Sequence, residues 1–185
     1  MKKTVSLTLI AIIGICLTVA LAKFIRMDSF AFAWVLNFLL MMFVFVFTDA
    51  LKSQLTSSYY NEKKWERRGK IYEHLGVNFF RKLLVWTGWE KMSRKSNPVK
   101  NDTKALVHLH YQTKKSELGH LIILFVVLGF NVFVAFKFGF FKSLWLLILN
   151  VLLNLYPILL QRYNRPRIAR VIKIQNPRLA CIARR

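Results

Sequence analysis

Four long apolar runs constrain the fold of this chain more than any other feature of its sequence. They lie at residues 1–23, 29–51, 119–136 and 139–161. A helix needs roughly 20 residues to cross about 30 Å of hydrocarbon, and each run is about that long. The chain is also 55% hydrophobic, which is high for a soluble domain. The sequence therefore predicts an all-α integral membrane protein with about four transmembrane helices.

The first run admits a second interpretation. Lys2 and Lys3 precede it, and Ala20-Leu21-Ala22 has the small-x-small form of a signal-peptidase site. A cleaved secretory signal is therefore an alternative. Because the run is long enough to span the bilayer, we expect an uncleaved first helix instead.

Capping residues and prolines predict where the helices begin and end. Asp28 and Ser29 both suit the N-cap of the second helix. Pro157 removes a backbone hydrogen bond and should kink the fourth helix near its end. The fourth helix should end around Gln161, where its apolar run ends. Pro166 disfavours helical geometry at Arg165, and a short second helix could start there.

The segment between the two pairs of runs mixes aromatic and basic residues. Between residues 70 and 86 the apolar side chains recur at helical spacing, which predicts an amphipathic helix lying in the membrane interface. The residues that would share its apolar face are Ile71, Leu75, Phe79, Leu83 and Trp86. Residues 91–104 are polar and contain Asn97-Pro98, which predicts a loop.

These features divide the chain into three consecutive segments. Residues 1–51 are expected to form two N-terminal transmembrane helices. Residues 52–118 would form a cytoplasmic or interfacial basic segment. Residues 119–185 would form a transmembrane hairpin with a basic C-terminal tail.

The basic residues are distributed unevenly along this topology. The chain has 29 Lys and Arg against 8 Asp and Glu. With four spans, all but Lys23, Arg26, Lys137 and Lys142 fall on the side of the two termini. The positive-inside tendency predicts a multi-pass protein of the cell membrane with both termini cytoplasmic. Because the charges flank apolar runs, we expect membrane lipids as partners and no nucleic acid.

The third and fourth runs are joined by only Lys137-Phe138-Gly139, so their helices should be antiparallel neighbours. The third helix would begin around Lys114, at the level where the fourth ends. Two polar groups are then expected to meet at one membrane face. The groups are Glu117 and His120 on one helix, and Arg162, Asn164, Arg165 and Arg167 after the other.

The first group has the composition of a general base. Glu117 and His120 are one helical turn apart, and a carboxylate beside an imidazole can orient it and stabilise its charged form. Such a histidine can take a proton from an alcohol. Both groups also have a purely structural interpretation. A carboxylate at the start of a helix is stabilised by the helix dipole, and arginines near a membrane often contact lipid headgroups. The spacing of His108 and His110 matches no zinc motif, and no metal site is expected.

Two strings resemble a known family. Lys115–His120 and the string QRYNRPR at 161–167, more loosely with Trp65-x3-Gly69-x2-Tyr72, resemble the glycosyl-4,4'-diaponeurosporenoate acyltransferase family. The likeness covers roughly residues 60–172. Those proteins complete staphyloxanthin-type carotenoid synthesis. The resemblance implies transfer of a fatty acyl group onto a sugar hydroxyl of a membrane glycolipid.

The residues and the resemblance together give a working hypothesis for function. His120 would deprotonate the acceptor and Glu117 would orient it. Substrate would be bound by Arg162, Tyr163, Asn164, Arg165 and Arg167. We expect no bound cofactor, with acyl-CoA or acyl carrier protein as the acyl donor. The alternatives are a non-catalytic membrane module that binds anionic lipids or a pathway enzyme, and a phospho-group transferase that would need Mg²⁺.

Overall fold

The computed structural model of the chain describes residues 2–89, 91 and 103–175. Its regular elements in that part are all helical, as predicted. They are α1 (Lys2–Phe24), α2 (Phe30–Leu51), two 3-10 helices (Ser58–Tyr60 and Lys64–Gly69), α3 (Ile71–His74), α4 (Val77–Trp86), α5 (Thr103–Phe138), α6 (Phe140–Asn150), a π-helical segment (Val151–Leu155) and α7 (Tyr156–Gln175).

Four helical stretches of the described chain are long and apolar enough to cross a membrane. They are Thr4–Phe24, Phe30–Leu51, Thr103–Phe138 and Phe140–Gln175. Large apolar side chains on them are exposed, such as Phe45 at 66% and Phe125 at 63%. Such exposure is expected where lipid replaces water as the solvent. The prediction of an all-α membrane protein with four spans is confirmed.

The helices form two compact units, each built from two separate parts of the chain. We call Met1–Ser53 with Leu118–Pro157 the span unit, and Gln54–Glu117 with Ile158–Arg185 the polar unit. The three consecutive segments predicted from the sequence are a different kind of division and stay a prediction.

The span unit has an apolar core between α2, α5 and α6. Phe32, Leu36, Val127 and Leu146 are all buried in it. Of the two predicted candidates, Ser29 is the N-cap of α2, because its hydroxyl accepts a hydrogen bond from the Phe32 N–H at 3.1 Å. That cap fixes where the second span begins.

Within the span unit, α5 and α6 are antiparallel neighbours, as the short connection predicts. Gly139 joins them with φ at 98°, a conformation that favours glycine. The Asn131 amide donates to the Ser143 carbonyl at 2.7 Å, and the Asn150 amide donates to the Leu124 carbonyl at 3.0 Å. Both bonds satisfy polar groups that lipid could not.

The backbone before Pro157 is π-helical. In this segment the Tyr156 N–H donates to the carbonyl of Val151, five residues back. Pro157 has no N–H to offer the Leu153 carbonyl, so the α-helical pattern cannot run through this point. The predicted irregularity at Pro157 is therefore a widened turn, of a kind often found at functional sites.

Helix α5 begins at Thr103, earlier than the predicted start around Lys114. Leu106, His110 and Thr113 are buried at helical spacing in the polar unit, and this packing extends the helix through a polar sequence. Most of the predicted 91–104 loop, residues 92–102, lies outside the described residues.

Pro166 lies inside α7, so the predicted helix end near Gln161 is wrong. The proline removes the donor to the Arg162 carbonyl, yet its neighbours in the polar unit are held by side-chain contacts. Arg165, for example, is 5% exposed and makes several hydrogen bonds. Tertiary packing therefore overrides the local preference. Residues 176–185 of the predicted tail lie outside the described part.

The amphipathic segment at 70–86 is two helices rather than one. Gly76, with φ at 83°, separates α3 from α4. On α4, Val77 and Phe80 are buried, while Phe79 and Trp86 are 72% and 85% exposed. An exposed aromatic edge on a helix with a buried opposite side fits the predicted interfacial position.

Gly69 gives a test of how tightly the polar unit packs. Its φ is +85°, and a Cβ there would lie 3.0 Å from the Tyr163 carbonyl oxygen. Gly88 has φ at +75°, but within the described residues a Cβ there meets nothing within 4 Å. We expect Gly88→Ala to cost about 1 kcal/mol from the left-handed backbone alone. Gly69→Ala should cost about 1–3 kcal/mol more, because a backbone atom must move.

Thermal unfolding of the two variants in the same detergent would measure this difference. Equal losses of stability would show that the main chain at Gly69 is not pressed against α7.

Candidate active site

The polar unit is built around a fully buried carboxylate, Glu117, which is 0% exposed. Arg162 Nε donates to its Oε1 at 2.7 Å, and Arg165 Nη2 donates to its Oε2. The sequence placed this carboxylate beside the arginine cluster, and the structure brings the three side chains together. A guanidinium on each oxygen satisfies the hydrogen-bonding needs of a carboxylate that no water reaches.

Arg162 joins this carboxylate to a second one. Its Nη1 donates to Glu66 Oε1 at 3.0 Å, and its Nη2 donates to the Tyr59 carbonyl at 3.1 Å. Glu66 also accepts from the Tyr72 hydroxyl at 2.6 Å and from the Lys63 N–H at 2.7 Å. The guanidinium therefore ties the segment at 59–72 to α5 and α7 within the polar unit.

Arg165 is held almost entirely by protein acceptors. Its Nε donates to the Thr113 hydroxyl at 3.2 Å, and its Nη2 reaches the Thr113 carbonyl at 3.3 Å. Its Nη1 donates to the Tyr60 carbonyl at 3.2 Å. With Glu117 as well, four of its five N–H groups are engaged, which gives this side chain a fixed position.

The other predicted binding residues differ in how far they are engaged. Arg167 pairs with Glu73 at 2.8 Å and stacks 3.4 Å from the centroid of the Tyr163 ring. The Tyr163 hydroxyl accepts from Arg81 at 3.5 Å. Asn164 is half-buried, and within the described residues its amide makes no hydrogen bond. Asn164 is thus the member of the cluster whose polar atoms are uncommitted.

Burial and hydrogen bonding act in opposite directions on the ionisable groups around Arg162. Burial alone would raise the pKa of Glu66. The hydrogen bonds from Tyr72 and Lys63, with the Arg162 charge, outweigh it and hold the pKa below its ordinary value of 4.5. Burial, followed by the hydrogen bond to Glu66, raises the pKa of Tyr72. Burial and the Glu117 charge raise the pKa of Tyr59.

The lowered pKa of Glu66 predicts a loss of stability in acid. Its contribution is complete above pH 4.5 and is lost as the pH falls through the lower value of the folded state. We expect Glu66→Gln to be less stable at neutral pH and to lose less stability on acidification. Denaturant unfolding at a series of pH values would measure this. Glu62→Gln, at an exposed position of the same segment, should keep the wild-type dependence.

His120 lies in the span unit and is hydrogen-bonded to an amide there. Its Nδ1 is 3.4 Å from Asn154 Oδ1. Asn154 Nδ2 donates to Asn37 Oδ1 at 2.7 Å and to Asn150 Oδ1 at 2.9 Å. Both oxygens of Glu117 accept from arginines, so its predicted orienting role toward His120 stays a prediction, and Asn154 is a second candidate for that role.

Glu66 and the three asparagines were not among the residues predicted from the sequence. Glu66 stands among basic residues in a segment with no periodic pattern, so nothing in the sequence marks it. Asn37, Asn150 and Asn154 are polar residues inside apolar spans, which is the signal that could have found them. Within the described part of the chain, no group of three or more His, Cys, Asp or Glu residues could hold a metal ion.

A comparison with models of protein families finds a match over most of the chain. Residues 56–174 match the family described as glycosyl-4,4'-diaponeurosporenoate acyltransferase. The matched range covers more than half of the chain and contains Glu66, Glu117, His120 and the cluster at 162–167. No curated protein and no solved structure matches the chain.

Proposed function

Because this chain belongs to the glycosyl-4,4'-diaponeurosporenoate acyltransferase family, we propose that it acylates a hydroxyl of a glycosyl-carotenoid-like membrane glycolipid. The chain is an acyltransferase and a multi-pass membrane protein. The single observation that supports the proposal is the family match over residues 56–174, a range that contains most of the polar unit and His120. The cell membrane, with both termini cytoplasmic, is the proposed location.

The proposed reaction joins an acyl thioester to an alcohol. The acceptor oxygen forms a bond to the acyl carbonyl carbon, and the carbon–sulfur bond then breaks. The thiolate leaves and takes up a proton, so the products are an ester and a thiol. His120 takes the proton of the acceptor hydroxyl as that oxygen attacks.

The cluster at 162–167 is proposed to bind the donor. Arg162, Asn164, Arg165 and Arg167 would hold donor phosphates or the oxyanion that develops on the thioester carbonyl. Glu117 supports this by fixing the two arginines on its oxygens. Asn164, whose amide is uncommitted among the described residues, is the group best able to bind a ligand without first losing a protein partner.

Exposed cations in the same unit extend the donor site. Lys64, Arg67, Arg68 and Lys70 are all exposed, and they follow one another in a single short segment. Acyl-CoA and acyl carrier protein are both strongly anionic, so this segment would attract either donor. A cytoplasmic acyl donor can reach this basic segment if the segment and both termini lie in the cytoplasm, as the charge distribution predicts.

The acceptor is proposed to enter from the bilayer. Phe79 and Trp86 form the exposed aromatic edge of α4, and an interfacial helix of this kind can cover a lipid site. Tyr163 would line the pocket for the acyl chain or sugar. This part of the proposal follows the family match and the amphipathic pattern together.

The proposal is tested by comparing lipid extracts from cells that make the protein with extracts from cells that do not. Mass spectrometry should find a lipid heavier by one fatty acyl group only when the protein is present. Purified protein in vesicles, given acyl-CoA and a glycosylated carotenoid, should form the same ester. If the acyl product is absent and only binding to anionic vesicles remains, the protein is the non-catalytic module instead.

A further inference from the structure

A chain of buried amides in the span unit ends at His120. Asn154 uses its Nδ2 to donate twice, to Asn37 Oδ1 at 2.7 Å and to Asn150 Oδ1 at 2.9 Å. Its Oδ1 is therefore the atom 3.4 Å from His120 Nδ1. All three asparagines are no more than 2% exposed, so solvent does not compete for these bonds.

The orientation of Asn154 is determined by the amides beyond it. Asn37 Nδ2 donates to the Ala33 carbonyl at 2.8 Å, and Asn150 Nδ2 donates to the Leu124 carbonyl at 3.0 Å. Both side chains are thereby fixed with their oxygens free to accept. Turning Asn154 over would set its oxygen against the oxygens of Asn37 and Asn150 and leave buried polar groups without hydrogen-bond partners.

Two of these residues lie at the π-helical segment. Asn150 precedes it and Asn154 lies within it, four residues along the chain. Pro157 prevents ordinary α-helical bonding here, so this local irregularity and the amide chain occur at the same place. A π-helical turn costs hydrogen-bond quality and is often retained at functional sites.

We infer that Asn154 is a positioning residue for the acyl transfer. In the neutral imidazole this Oδ1 can accept only when the proton is on Nδ1, so it selects the neutral tautomer with Nε2 unprotonated. That tautomer offers Nε2 as the base for the acceptor hydroxyl. The inference rests on the proposed function for the identity of the reaction, but the tautomer itself is independent of it.

The tautomer can be measured directly. In protein with ¹⁵N-labelled histidine, solid-state NMR in lipid vesicles distinguishes a protonated from an unprotonated ring nitrogen. The His120 signals are assigned from the spectrum of His120→Ala. We expect wild-type His120 to be protonated on Nδ1 and Asn154→Ala to populate the other tautomer. A wild-type ring protonated on Nε2 alone would overturn the inference.

The second measurement separates positioning from packing. We expect Asn154→Ala to lower kcat by up to about 100-fold with little change in KM, part of the 10²–10⁴-fold that a general base supplies. Asn131→Ala is the matched control, because it removes a buried bond between α5 and α6 at 2.7 Å with no link to His120. It should leave kcat near the wild-type value.

The double variant of Asn154 and His120 completes the test. If Asn154 acts through His120, Asn154→Ala should have no further effect on the residual rate of His120→Ala. Multiplying effects would overturn the inference while leaving the proposed function in place. Full activity of His120→Ala would instead remove His120 from the reaction, and the NMR result would still decide the tautomer.

Discussion

His120→Ala should lower the rate of acyl transfer by about 10²–10⁴-fold, the usual contribution of a positioned general base. The variant should still insert into membranes and unfold near the wild-type temperature. The ring is half-buried and lies outside the apolar core, and its hydrogen bond to Asn154 is long at 3.4 Å, so truncation should cost little stability. Initial rates of ester formation in vesicles, measured by mass spectrometry, would give the decrease.

His108→Ala serves as the control for this substitution. His108 is an exposed histidine on the same helix, and its ring contacts only Gln112 among the described hydrogen bonds. It should keep full activity. Equal activities of the two variants would exclude His120 as the base, whatever the donor or the acceptor.

Glu117→Gln should be the most destabilising single substitution in the polar unit. Arg162 and Arg165 share this carboxylate with side-chain exposures of 11% and 6%, and the carboxylate itself is 0% exposed. Removing one partner of a buried ion pair leaves an uncompensated charge, and this costs about 3–5 kcal/mol. Thermal unfolding of the detergent-solubilised protein should show a correspondingly large fall in Tm.

The matched control is Glu73→Gln. Glu73 pairs with Arg167 at 2.8 Å, but both side chains are more than a third exposed. Because water screens such a pair, its loss should cost about 0–1 kcal/mol. If Glu117→Gln were as stable as Glu73→Gln yet inactive, Glu117 would belong to the chemistry and not to the support of the arginines.

The membrane spans could be predicted because they depend on short-range properties. Apolar length identifies each span, Asp28 and Ser29 indicate where α2 begins, and a short connection makes α5 and α6 neighbours. The start of α5 and the continuation of α7 through Pro166 could not be predicted in the same way. Both depend on side chains buried against residues far along the sequence.

The candidate site shows the same limit. Helix geometry was enough to bring Glu117 to Arg162 and Arg165. It could not reveal that Glu66 is a second carboxylate on Arg162, since 96 residues separate the two. Nor could it find Asn37 and Asn154, which meet across 117 residues. Partners of this kind are specified by tertiary packing, and no periodicity in the sequence encodes them.

The shared carboxylate of Glu117 also limits how this part of the chain can diverge. A substitution at Glu117, Arg162 or Arg165 alone leaves a buried charge without its partner. Substitutions at these positions are therefore expected to occur together. A descendant could acquire a new acyl acceptor and still retain the same short basic string. The carboxylate and its two arginines should therefore be retained or replaced together, and the preference for the acyl acceptor could change without them.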